Sequence, residues 1–177
     1  MTVRRVVTGY SGGKSKIVSD GGTRRAKDFK HIPGQSAALI WSTPSTPTLP
    51  IDGADVVTEQ STYVPPKPGE TRLMTVTFAP DSVMMTIDPA AAGQEFMEHI
   101  PDLAQTMEMD NPGMHTTQTV DYGIVLDGEV WLEVDDGKQV HLKPHDIVVQ
   151  NGTRHAWRNK GDKPVKIAFV LIGAKKN

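Results

Sequence analysis

The sequence predicts an all-β fold, an antiparallel sandwich or small barrel, on three observations. From residue 114 onward, short segments rich in β-branched and aromatic residues recur at a spacing of roughly ten residues: YGIVLDG, EVWLEVDDG, KQVHLKPHD, DIVVQNG, RHAWRN and VKIAFVLIG. Turn dipeptides separate most of them, namely Asp127-Gly128, Asp136-Gly137, Asn151-Gly152 and Gly161-Asp162. Nowhere does the sustained helix–strand alternation of a parallel sheet occur.

The elements follow in order. Residues 1–42 hold three short strand candidates, VRRVV, KIVSD and SAALIWS, set apart by Gly- and Pro-containing turns. Residues 43–70 are Pro-rich and nearly patternless, and read as a long surface loop docked in extended form. TRLMTVTFAP is a strand by its alternation and its Thr, Val and Phe content. A helical insert is expected over 89–109. Asp88 is its N-cap and Pro89 its first position, and Phe96, Ile100, Leu103 and Met107 recur at helical spacing. Pro101 should divide it into two short helices. The insert reads either as a helix packed on the sheet or as a lid over a barrel mouth. Residues 1–71 are therefore taken as an N-terminal extension packing on the barrel or on a second copy, and residues 72–177 as the barrel with its insert.

Composition narrows the function. A chain of 177 residues is long enough for one domain with a full core. With no cysteine, disulfides and thiolate metal sites are excluded. No apolar run has the length of a signal peptide or a membrane span, so the expected compartment is cytoplasmic, with no membrane partner. A net charge of −2 argues against a nucleic-acid partner. The charge is uneven: residues 1–30 hold eight Lys/Arg and two Asp, whereas residues 31–110 hold two Lys/Arg and eleven Asp/Glu. We expect the basic arm to lie against acidic surface of its own chain or of a second subunit, and the chain to form a homodimer through its N-terminal strands and Pro-rich loop.

GYSGGKS, residues 9–15, resembles a phosphate-binding loop but fails its spacing, because Thr8 stands where the first glycine is required. It reads as a turn. Of the six histidines, His31 and His99 fall in a loop and in the insert, and His141 and His145 flank a turn. His115 and His155 differ, since each opens a β segment and an antiparallel barrel would bring both beside Asp121. Two imidazoles and a carboxylate suit Fe, Mn, Ni, Co or Zn with open positions for water or substrate.

The residues that carry this set resemble the two motifs of the cupins. His115, Thr116, Thr117, three residues, Asp121, six residues and Gly128 match the first, with Thr117 at the second histidine and Asp121 in place of the usual glutamate. Gly152, His155 and Asn159 match the second, with Gln150 replacing its proline and His145 standing where a glycine usually precedes the aspartate. The resemblance spans roughly residues 72–173 and implies a jelly-roll, or double-stranded β-helix, barrel. It further implies a divalent transition metal held by His115, Asp121 and His155. Thr117, Gln118, Gly123, Gln150 and Trp157 are candidates for supporting the metal or touching substrate. The function it implies is a metal-dependent enzyme acting on a small oxygenated molecule that chelates the metal, dioxygenase-like among the options. A non-catalytic small-molecule-binding cupin and a lyase, isomerase or cyclase that does not use dioxygen stay open.

Overall fold

The computed structural model describes residues 3–51 and 54–176. Eleven strands and three short helices follow one another in the order β1 (Arg4–Ser11), β2 (Lys14–Gly22), β3 (Arg25–Asp28), β4 (Ser36–Thr43), β5 (Thr71–Phe78), α1 (Asp81–Met84), α2 (Pro89–His99), α3 (Pro101–Ala104), β6 (Thr119–Asp127), β7 (Val130–Glu133), β8 (Gln139–Leu142), β9 (Ile147–Asn151), β10 (Ala156–Arg158) and β11 (Val165–Gly173). Among the described residues they form a six-stranded antiparallel sheet in the order β3-β4-β5-β11-β6-β9, a three-stranded sheet β10-β7-β8, and the separate hairpin β1-β2. The fold is all-β and of the jelly-roll kind.

Period-two alternation sets the faces. In β11 every second residue, Val165, Ile167, Phe169, Leu171 and Gly173, is buried, and in β6 the buried set is Thr119, Asp121, Gly123 and Val125. The sheets enclose one core that reaches from Phe29 and Leu39 through Met74 and Val76 to Ile167 and Phe169.

The first zone divides in two. β3 and β4 extend the main sheet beyond β5, so residues 25–43 form part of the barrel wall. The β1-β2 hairpin stands apart from that wall. GYSGGKS is the tip of this hairpin, where Gly12 and Gly13 take φ of 60° and 73°, the left-handed pair that a two-residue turn demands. Of the basic residues in the arm, Arg4 pairs with Asp20 and Arg5 pairs with Asp55 while donating to the Ile40 carbonyl. Residues 44–70 contain no helix or strand among those described, yet Val57, Tyr63 and Val64 are buried against the core.

The insert begins as expected: Asp88 caps α2 by accepting from the Ala90 N–H, Pro89 opens it, and Pro101 separates α2 from α3. Its helical part ends at Ala104, not at 109. The reason is visible at Met107, which forms a β-bridge with His115 and so draws the chain out of helix. α2 is anchored by Glu95, a buried carboxylate that accepts from the Lys30 and His31 N–H groups at 2.9 and 2.7 Å. α3 is anchored by Asp102, which accepts from the Tyr63 and Val64 N–H groups.

Candidate functional site

The segment just before β6 runs antiparallel to the segment just before β10, and His115 and His155 face each other across it. Their backbones exchange both N–H···O bonds at 3.0 Å. The two rings lie 4.3 Å apart, tilted by 49°. Each Nδ1 sits beside a carbonyl oxygen, that of Gly113 at 3.0 Å for His115 and that of Thr153 at 2.9 Å for His155. A carbonyl can only accept, so each Nδ1 carries the proton and each Nε2 is left with a bare lone pair. Burial pushes both imidazoles below their ordinary range; for His155, burial together with neighbouring His115 brings it to about 4. Both rings are therefore neutral at pH 7.

Asp121 follows on the inward face of β6. It is buried, and its Oδ1 has no hydrogen-bond partner. Thr119, also buried, holds the carboxylate down slightly, and its hydroxyl lies 2.8 Å from that of buried Thr117. Burial raises Asp121 to about 6 against the small opposing effect of Thr119. The folded chain therefore holds this proton more tightly than the unfolded chain does. The stability gained is full below about pH 4 and is lost as pH rises through about 6. His155 acts in the opposite sense, contributing stability above about pH 6.5 that is lost as pH falls towards 4. Asp121→Asn removes only the first effect. In chelator, urea unfolding is expected to show the variant more stable than wild type at pH 8 by about 2 kcal/mol, with the gap closing near pH 4.

His115, Thr117, Asp121, His155 and Trp157 line one cavity of about 100 Å³. The rest of its wall is apolar apart from Gln35, and Phe96, Ile100, Leu103 and Met107 of the insert supply one side of it. The insert thus covers the barrel interior. Trp157 stands edge-on to the His155 ring at 6.0 Å and to the Phe169 ring at 5.4 Å. The room left by Gly123 is taken by these rings: a Cβ there would lie 3.2 Å from Phe169 and 3.6 Å from Trp157, so this glycine seats the aromatic wall.

Other candidates stand elsewhere. Gln118 is exposed because alternation turns Thr117 and Thr119 inward, and it supplies the chain at this point only with a carbonyl that accepts from the Ala174 N–H. Gln150 is buried but closes the β9-β10 turn, its side chain bonded to Thr153. Gly152 has φ of 62°, and a side chain there would press on the carbonyls of Thr117 and Thr119, which explains the motif glycine. Asn159 is a clamp: its amide donates to the Phe78 and Lys163 carbonyls and its oxygen accepts from Gly161. His145 has φ of 78°, the left-handed geometry natural to the glycine it replaces. Met84 and Met85 are exposed, whereas Met107 lines the cavity. Phe29 and Gln35 also line it, and neither is marked in the sequence by a motif.

Two bare imidazole nitrogens and an unpartnered carboxylate oxygen around one cavity are, in kind, the donors that a divalent transition ion takes. Among the described residues no three His, Asp or Glu side chains stand close enough together to enclose an ion as they are. The histidines form their facing pair, and Asp121 lines the same cavity.

Comparison with known proteins agrees with this picture. A family model for the cupin domain matches residues 106–172. Phomopsin biosynthesis cluster protein D of Diaporthe leptostromiformis is 32% identical over 139 residues, 77% of this chain and 60% of that protein. The chain thus spans about three-fifths of the length of that relative. Oryzines biosynthesis cluster protein J of Aspergillus oryzae is 50% identical over 65 residues, 36% of each chain. Cupin-domain-containing oxidoreductase fogC of Aspergillus ruber is 36% identical over 62 residues, 33% of this chain and 30% of that one. No helix among the described residues is long and apolar enough to cross a membrane. With the family model lying over β6 to β11 and both motifs opening into one barrel interior, residues 106–172 form a cupin domain.

Proposed function

We propose that the chain is a metal-dependent cupin enzyme acting on a small, largely apolar molecule that carries an oxygen function. The observation that carries this reading is the pair of Nε2 atoms left bare by the Gly113 and Thr153 carbonyls, beside a buried carboxylate oxygen without a partner. His115 and His155 would hold the ion. When bound, a divalent ion polarises a substrate oxygen and acidifies the adjoining C–H or O–H. Asp121 is reserved for the proton: its free Oδ1 takes one from the substrate and returns it, while the Thr119 and Thr117 hydroxyls fix the carboxylate plane. The insert excludes water above them.

Cavity shape narrows the substrate class. Its wall follows β5 through Met74, Val76 and Phe78 and β11 through Phe169 and Leu171. Leu171 pairs with Asp121, and Val165 pairs with Phe78. The two levels are six residues of extended strand apart, roughly 20 Å. Gln35 stands at the far level, its Oε1 accepting from the Ala79 N–H at 3.0 Å and its amide donors otherwise unused. The cavity of about 100 Å³ between these levels holds only a small molecule, with its reacting oxygen at the histidines. The name oxidoreductase carried by the Aspergillus ruber relative favours oxidation as the outcome, with dioxygen as the co-substrate that takes up the electron pair.

The test uses Trp157 as a reporter. Cobalt(II) or nickel(II) added to untagged, chelator-treated protein should quench its fluorescence at one equivalent, and Trp157→Phe should remove the quenching without removing the binding. Absence of stoichiometric binding overturns the proposal.

A further inference from the structure

One missing side chain decides where the cavity ends. Gly123 of β6 pairs with Phe169 of β11. A Cβ on Gly123 would lie 3.2 Å from Phe169 Cε1, 3.4 Å from its Cδ1 and 3.6 Å from Trp157 Cη2, so both rings lean into the room that glycine leaves. They are locked there edge to face. Trp157 meets Phe169 at 5.4 Å and 65°, and Phe78 meets Phe169 at 6.4 Å and 81°. The next inward residues of the same strands, Val125 and Ile167, are fully buried in the core and take no part in the cavity lining. On this side the aromatic rings are therefore the floor of the cavity.

The opposite limit is set by Asp121, whose Oδ1 is an acceptor without a partner. Asp121 and Gly123 share the inward face of β6, two residues and so roughly 7 Å apart along the strand. That is close to the reach from a hydroxyl oxygen to the far edge of one six-membered ring. Volume gives the same limit. A dry cavity of about 150 Å³ lined by Leu, Ile and Phe takes one benzene molecule. This cavity is about 100 Å³, and Met107 in its wall is a flexible side chain that yields to a guest. Two fused rings exceed both the length and the volume. Ring faces and edges attract another aromatic ring in offset or edge-to-face contact, an attraction that a saturated ring of the same size does not share.

We infer that Phe169 and Trp157, seated by Gly123, are the specificity-determining floor of the site. The substrate they select is a single planar ring bearing a hydroxyl, a phenol or a cyclic enol, with its oxygen at Asp121 and its ring against the floor. The inference rests on this cavity being the substrate site of the proposed enzyme.

Phenol is the probe, titrated by calorimetry into metal-free protein. It is expected to bind at one site per chain, more tightly than cyclohexanol by roughly 10-fold, while 2-naphthol gives no binding. Phe169→Leu lowers the floor and should admit 2-naphthol. Gly123→Val drives the rings into the cavity and should abolish phenol binding, with the far-ultraviolet circular dichroism spectrum unchanged. The gain of 2-naphthol binding in Phe169→Leu cannot arise from unfolding, so it carries the test even where Gly123→Val fails to fold. Absence of phenol binding to the wild type overturns the inference. So does a wild type that takes 2-naphthol as tightly as phenol, or a Phe169→Leu protein that still refuses it. Phenol is read without metal and cobalt is read without phenol, so failure here leaves the metal proposal standing.

Discussion

His155→Ala is expected to weaken binding of cobalt(II) or nickel(II) by at least about 100-fold, a larger loss than the 10- to 100-fold typical of residues behind the ligands. One imidazole of the facing pair disappears, and with it one of the two bare Nε2 donors. His115→Ala should match it, because the Nδ1 of each ring is held by a carbonyl in the same way. Backbone bonds between residues 115 and 155 do not involve the rings, so the fold is expected to stand. The measurement is a fluorescence titration followed through Trp157, with metal content determined after dialysis. Retention of full affinity in both variants would place the ion elsewhere. Asp121→Glu supplies the converse result: lengthening the carboxylate by one methylene should tighten metal retention and slow turnover, since the proton carrier is drawn into coordination.

Gly173→Ala is expected to destabilise the protein by about 3 kcal/mol or more. A Cβ at Gly173 would sit 2.1 Å from the Lys67 carbonyl oxygen and 2.5 Å from that of Pro66. Both obstacles are backbone, and they cannot withdraw by a rotamer change. Gly173 also joins the Pro-rich segment to β11, donating to the Glu70 carbonyl and accepting from the Gly69 N–H at 2.8 Å. Displacing residues 66–70 loosens the segment that carries buried Tyr63 and Val64. Urea unfolding should show the loss as a lower midpoint. A midpoint within 0.5 kcal/mol of wild type, about the scatter of neutral surface changes, would contradict the close packing described.

The strands after residue 114 were legible because each has its own turn signal and alternation, properties local to a few residues. β3 was not, since RAKD is polar and alternates only between half-buried and exposed positions. The helical insert was legible at its start, where Asp88 and Pro89 act locally, and illegible at its end, where a long-range bridge to His115 overrides the helical spacing of Met107. In the site, motif spacing singled out His115 and His155, which the barrel brings face to face. Phe29 and Gln35 reach the cavity from the connection between β3 and β4, 80 or more residues before His115, and no pattern in the sequence announces such a meeting.

Arg154 links two parts of the molecule that have so far been treated separately. Its guanidinium holds both oxygens of Glu108, each at 2.6 Å, and reaches Asp135 at 2.9 Å. Glu108 ends the insert, and Arg154 is the immediate neighbour of His155. Lifting the insert therefore pulls on the peptide that positions one imidazole of the pair. The ion pair is a tie rod between the end of the insert and the residue next to His155, so a displacement of Glu108 would be felt at that imidazole. High salt, which weakens such a half-exposed pair, would slacken the rod and separate the two movements.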